Sequence, residues 1–181
     1  GFSQLMNDKA RNLGLKGTHF ENPNGLDAPD HYSTARDLAV LAAYAMENPI
    51  FRQTVSTKNL HMGQRYLTNH NKLLWRVEGA DGVKTGFTKA AGRILVSSAT
   101  RQGRRLICVT IDDPDDWDDH AALLEQGFSR YAPKQIVTRG QLIETIEVAG
   151  GEGTHVQILA GEDFSYALAE GENPQLMLPG P

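Results

Sequence analysis

Asp81-Gly-Val-Lys-Thr-Gly-Phe-Thr88, followed after a short break by Ile94-Leu-Val-Ser-Ser-Ala-Thr100, decides how the rest of this chain is read. Both segments are β-rich. A third, Arg104-Arg-Leu-Ile-Cys-Val-Thr-Ile111, is joined to the second by Arg101-Gln-Gly103, so an antiparallel hairpin is expected beside the strand that carries Lys84. That strand would present a cation, a hydroxyl and a glycine together. An ammonium there favours a carboxylate and an alcohol in its anionic form, and a glycine without Cβ lets another backbone come close. These are the properties of an edge that accepts an extended peptide.

As a bare tripeptide, Lys84-Thr85-Gly86 also describes a solvated strand end. The longer context is more specific. Phe20-Glu-Asn-Pro-Asn-Gly-Leu-Asp27, His31-Tyr-Ser-Thr-Ala-Arg-Asp-Leu-Ala39, Asn69-His-Asn-Lys-Leu-Leu-Trp75 and Gly82-Val-Lys-Thr-Gly-Phe-Thr88 follow one another in that order. In order and spacing they resemble the D-alanyl-D-alanine carboxypeptidases, the low-molecular-weight serine-type penicillin-binding proteins. The resemblance runs from Phe2 to about Tyr131 and continues more weakly into the tail.

In that family K-T-G accompanies S-x-x-K and S-x-N around an acylated serine. Here no Ser or Thr has Lys three positions later, and no Ser-x-Asn occurs. An acyl-transfer enzyme needs a nucleophile with a base in reach, so two of the three motifs are missing. The opening segment Phe2 to Leu13 resembles the helix that follows the S-x-N segment. The chain therefore reads as the C-terminal part of such an enzyme, inactive alone and expected to partner an upstream piece that carries the nucleophile.

Composition is that of an ordinary globular chain. Hydrophobic content is 40%, charged content 22% and net charge −4 over 181 residues, with no basic run to bind phosphate, which argues against a nucleic-acid partner. No apolar stretch of membrane-spanning length occurs, so membrane association is expected only through segments outside these residues. The single Cys108 sits among apolar strand neighbours and reads as a packed thiol. His19, His31, His61, His70, His120 and His155 show no paired ligand spacing, and neither metal nor cofactor is expected.

Along the chain, Phe2, Leu5, Met6, Lys9 and Leu13 follow helical spacing, with Gly14 and Gly17 at the stop. Thr34-Ala-Arg-Asp37 has the capping-box form before a helix lined by Leu38, Leu41, Ala42 and Ala45, and Asn48-Pro49 opens another. The six carboxylates of Asp112 to Asp119 read as a solvated helix start. After Ala132-Pro133, which reads as a linker, Gln135 to Val148, His155 to Leu159 and Phe164 to Leu168 form short β-like runs.

The expected fold class is α+β. Residues 1–133 are taken as part of a β-lactamase/transpeptidase-like domain, an antiparallel sheet with flanking helices, and 134–181 as an incomplete, small all-β domain. The resemblance implies removal of the terminal D-Ala from peptidoglycan stem peptides through an acyl-serine, with those peptides and β-lactam antibiotics as ligands. It implies a bacterial, extracytoplasmic cell-envelope location. By the same resemblance Lys84 is catalytic and carboxylate-binding, Thr85 binds that carboxylate, Gly86 permits close approach, and the Phe87 N–H forms half of an oxyanion hole. Thr88 either orients the strand end or is a plain β-former. His70 stands where relatives often carry Arg; if that position helps hold the terminal carboxylate, a histidine there would make binding weaker or pH-dependent. A class A-like β-lactamase and a non-catalytic peptidoglycan-binding module remain open alternatives.

Overall fold

A computed structural model describes residues 1–150, 153–169 and 171–174. The chain divides into two compact units, Gly1–Gln126 and the residues from Gly127 onward.

The first unit is built on a three-stranded antiparallel sheet in the order β3 (Ala80–Thr88), β4 (Gly92–Arg101), β5 (Arg104–Ile111). The expected hairpin is present. Gln102 and Gly103 connect β4 to β5 with φ of 51° and 76°, the left-handed pair that a two-residue hairpin loop requires. Residues Leu95 to Ala99 of the central strand are buried without alternation, so both faces of the sheet are covered.

Helices precede the sheet: α1 (Phe2–Asn12), α2 (Ala35–Met46) and α3 (Pro49–Ser56). Asn48 caps α3, its side-chain oxygen accepting from the Ile50 and Phe51 amides at 2.9 and 3.2 Å with proline at the first helical position. Thr34 caps α2 by accepting from the Asp37 amide at 3.1 Å. Asp37 departs from the expected capping box. Its buried carboxylate accepts from the Gly17 amide at 2.7 Å and the Thr18 hydroxyl at 2.8 Å, because that loop offers two donors that would otherwise be left unpaired. Asp37 thus fastens the chain after α1 to the start of α2.

Between α3 and β3 lie a small hairpin, β1 (Asn59–Met62) with β2 (Arg65–Thr68), and the single turn α4 (Leu73–Arg76). Helix α5 (Asp116–Arg130) follows the sheet. The expectation that its acidic start is solvated fails at Asp116. That carboxylate is buried and bidentate with Arg93 of β4, at 3.2 Å to Nε and 2.6 Å to the terminal nitrogen, since a guanidinium from the sheet compensates its desolvation.

The second unit contains β6 (Ala132–Val137), β7 (Leu142–Glu147), β8 (His155–Leu159) and β9 (Phe164–Leu168), paired antiparallel as β6 with β9 and β7 with β8. Ala132-Pro133, read as a linker, instead begins β6; in a two-stranded ribbon a proline can sit where its missing N–H is not needed. The run Gln135 to Val148 is two strands, broken by a turn in which Gly140 has φ of 81°.

A candidate substrate-binding edge

Strand β3 is an outer strand of its sheet, paired with β4 on one side and with no strand on the other among the described residues. The register sets Lys84 opposite Val96, Thr85 opposite Leu95, Gly86 opposite Ile94 and Phe87 opposite Arg93. All five expected site residues therefore lie in sequence along one open edge. Lys84 is exposed, with its Nζ donating to the Thr85 carbonyl. Thr85 is half-buried, and Phe87 is 69% exposed. Thr88 turns its hydroxyl inward to the β3–β4 connection, where it accepts from the Ala91 amide at 3.0 Å.

Two glycines of this strand differ in what surrounds them. A Cβ on Gly82 would lie 3.1 Å from Val55 Cγ2 and 3.2 Å from Ser98 Oγ, so a side chain there presses on its packed neighbours. A Cβ on Gly86 would meet only Ile94 at 3.8 Å, ordinary contact. Nothing inside the unit excludes a side chain at 86. The close approach that glycine permits lies on the solvent side of the strand.

The edge is held from behind by groups to which the sequence alone assigned no packing role. The Asp81 carboxylate accepts from the Ser98 hydroxyl and from the Thr100 hydroxyl at 2.7 Å, with Arg105 Nε 3.7 Å away. Asn71 is 2% exposed; its amide nitrogen donates to the Gly82 carbonyl at 2.8 Å, and its oxygen accepts from the Leu73 amide at 3.1 Å. Asn69 donates to the carbonyls of Val55 and Thr57 at 3.2 and 3.0 Å and accepts from the Asn71 amide at 3.0 Å. The pattern Asn69-His-Asn71 before Leu-Leu-Trp is the signal that could have revealed this clamp. His70, between the two, is exposed.

The remaining candidates are accounted for by packing. His120 is wholly buried, with Nδ1 2.6 Å from Ser97 Oγ and Nε2 3.1 Å from Thr110 Oγ1, tying α5 to β4 and β5. Burial pushes its pKa down to about 4 against the opposing pull of Asp116 and Asp113, so it is neutral at physiological pH. Burial likewise pushes the Cys108 thiol up to about 11, which leaves no thiolate to act as a nucleophile. Among the described residues no three His, Cys, Asp or Glu side chains are grouped as metal ligands, and no helix is long and apolar enough to cross a membrane.

Residues 1–115 match the D-alanyl-D-alanine carboxypeptidase family, and residues 131–178 match the C-terminal domain of penicillin-binding protein 5. The D-alanyl-D-alanine carboxypeptidase DacD of Escherichia coli is 36% identical over 180 residues, covering 97% of this chain and 46% of its own length. Penicillin-binding protein 5 of Haemophilus influenzae superposes with a TM-score of 0.78 at 32% identity, over 94% of this chain and 51% of that one. Penicillin-binding protein D2 of Listeria monocytogenes, solved in a cefotaxime-bound form, superposes with a TM-score of 0.66 at 32% identity, over 70% and 55%. The chain spans about half the length of the curated relatives it matches.

Proposed function

Because this chain belongs to the D-alanyl-D-alanine carboxypeptidase family, we propose that it supplies the substrate-binding edge of a serine-type D-Ala-D-Ala carboxypeptidase of the bacterial cell envelope. The observation that carries the reading is the open β3 edge, on which Lys84, Thr85, Gly86 and Phe87 follow one another with a glycine that packing alone does not require.

An extended stem peptide lies along this edge, its terminal carboxylate toward Lys84 and Thr85. The ammonium and the hydroxyl neutralise and orient that carboxylate, and the Phe87 N–H donates to the scissile carbonyl oxygen as negative charge develops on it. The nucleophile is a serine outside these residues. Its Oγ attacks the carbonyl, the peptide C–N bond breaks, D-Ala leaves with the proton, and water then hydrolyses the ester. Lys84 also favours the alkoxide form of that serine. β-Lactams are taken up by the same edge, a reading supported by the relative bound to cefotaxime. Thr88 holds the strand end by capping the turn after it. Residues to about 133 serve the peptidase part and those from 134 form a separate β-rich unit, which the second family match over 131–178 supports.

The test is Lys84→Ala and Thr85→Val in the protein that includes the serine segment. Each should slow acylation by a fluorescent penicillin about 10²-fold or more, the scale of one lost electrostatic contact in a transition state. Unchanged labelling rates in both variants would remove the assignment.

A further inference from the structure

The net charge of −4 conceals a strong separation. Residues 48–111 hold eleven of the eighteen Lys and Arg but only two of the twenty-two acids, a balance of +9, while the remainder of the chain carries −13. The two acids inside the positive stretch are already engaged. Asp81 is bound by Ser98, Thr100 and Arg105, and Glu78 lies beside Arg101, whose Nε donates to the Glu78 carbonyl at 2.9 Å.

Four arginines of this stretch are also paired: Arg93 with Asp116, Arg101 with Glu125, Arg105 with Glu47, and Arg76 of α4 with Asp118. Among the described residues six of its cations take part in no ion pair: Arg52, Lys58, Arg65, Lys72, Lys84 and Lys89. Arg52 lies on α3, Lys58 just before β1, Arg65 on β2, Lys72 at the N-cap of α4, and Lys84 and Lys89 on β3 and the turn after it. The clamp from Asn69 to Val55 and Thr57, and from Asn71 to Gly82, fastens these elements to β3 two residues before Lys84. Lys58 and Lys72 are further steadied over the rings of Trp75 and Trp117, at 5.9 and 5.8 Å.

We propose that Arg52, Lys58, Arg65 and Lys72 form, around Lys84, a positive lobe that selects acyl-donor peptides carrying several carboxylates over singly charged ones. The inference rests on the substrate edge proposed above and concerns its specificity. Unpaired cations of one sign on the walls of a site raise the local concentration of an anionic substrate and its association rate, by about 10 to 10³-fold, and salt removes the effect. Selection therefore enters through kcat/KM and leaves kcat alone. The lobe adjoins a reacting edge and carries aromatic side chains among its charges, which fits a peptide passing into a site.

The experiment uses the protein that includes the serine segment and two peptides ending in D-Ala-D-Ala, one singly and one triply negative. At about 20 mM salt kcat/KM should favour the triply charged peptide about tenfold, and at about 0.5 M salt the preference should fall to within about twofold, with kcat alike for both. Lys58→Glu together with Arg65→Glu should abolish or invert the preference, and the milder Lys58→Gln with Arg65→Gln should halve its logarithm. Lys16→Glu together with Lys134→Glu makes the same double charge reversal outside the lobe and should leave the preference intact. Equal kcat/KM for both peptides at low salt overturns the inference. So does a preference that survives both double variants, or a double variant that loses only its binding to vesicles containing anionic lipid. Covalent labelling by benzylpenicillin keeps the two readings apart: a labelled protein without charge preference refutes the lobe, whereas an unlabelled wild-type protein refutes the substrate edge itself and the lobe with it.

Discussion

The amide nitrogen of Asn71 donates to the Gly82 carbonyl at 2.8 Å, and this one bond joins the segment before α4 to the strand that carries Lys84. Both groups lie where water cannot replace the partner that is lost. Asn71→Ala leaves the Gly82 carbonyl and the Leu73 amide without their side-chain partner, at about 1–3 kcal/mol for each buried unsatisfied group. Denaturant unfolding should show a loss of about 2 kcal/mol or more. A loss below about 0.5 kcal/mol would mean that solvent or a neighbour takes over both bonds.

The two glycines of β3 separate fold from function. Gly82→Ala puts a Cβ against Val55 and Ser98 in a packed interior and should cost about 1–3 kcal/mol of stability. Gly86→Ala meets nothing tighter than 3.8 Å and should leave the unfolding midpoint nearly unchanged, while acylation of the serine-containing protein falls at least tenfold. Equal stability losses in the two variants would contradict this division. So would a Gly86→Ala protein with normal acylation.

Much of the sheet that carries this candidate edge is legible in the sequence, for reasons visible in particular residues. Lys84 to Thr88, the runs Ile94 to Thr100 and Arg104 to Ile111, and the Gln102-Gly103 turn announce a sheet because β-rich segments and a left-handed turn pair are local signals. The β1–β2 hairpin was not legible, as every residue of both strands is exposed and no inward-outward alternation marks it. Asp37 and Asp116 read as helix-start acids, yet their partners, Gly17, Thr18 and Arg93, lie about twenty residues away and leave no local trace. The charge separation escaped because a single net value averages two lobes of opposite sign.

The imidazole of His120 lies between two hydroxyls, and a neutral ring satisfies them by donating from one nitrogen and accepting at the other. Its native pKa of about 4 lies below the ordinary 6.5, so between those values the unfolded chain binds a proton that the native chain does not. Stability from this group is complete above pH 6.5 and is lost as pH falls toward 4. The loss amounts to about 3 kcal/mol at most, from 1.36 kcal/mol per unit of pKa difference. In NMR titration the ring should stay neutral from pH 7.5 to 5, and His120→Gln should flatten part of the acid limb of the stability curve. A titration midpoint near 6.5 would show that the ring is hydrated in the native state.

The absence of Ser-x-x-Lys from these 181 residues gives the sharpest expectation. Phe2 and Leu5 of α1, Tyr44 of α2 and Ile50 of α3 are large apolar side chains left exposed, and faces of that kind are stable only when another layer covers them. We expect the isolated chain to bind no penicillin covalently and to be poorly stable or self-associated. Co-expression with the segment of the same protein that bears the serine should restore both labelling and a cooperative unfolding transition, since two pieces that share one core can reassemble. Intact mass spectrometry after incubation with penicillin reads the result directly. A penicilloyl adduct on the isolated chain would place the nucleophile within these residues, and Lys84 would then have to serve a different partner from the serine assigned to it.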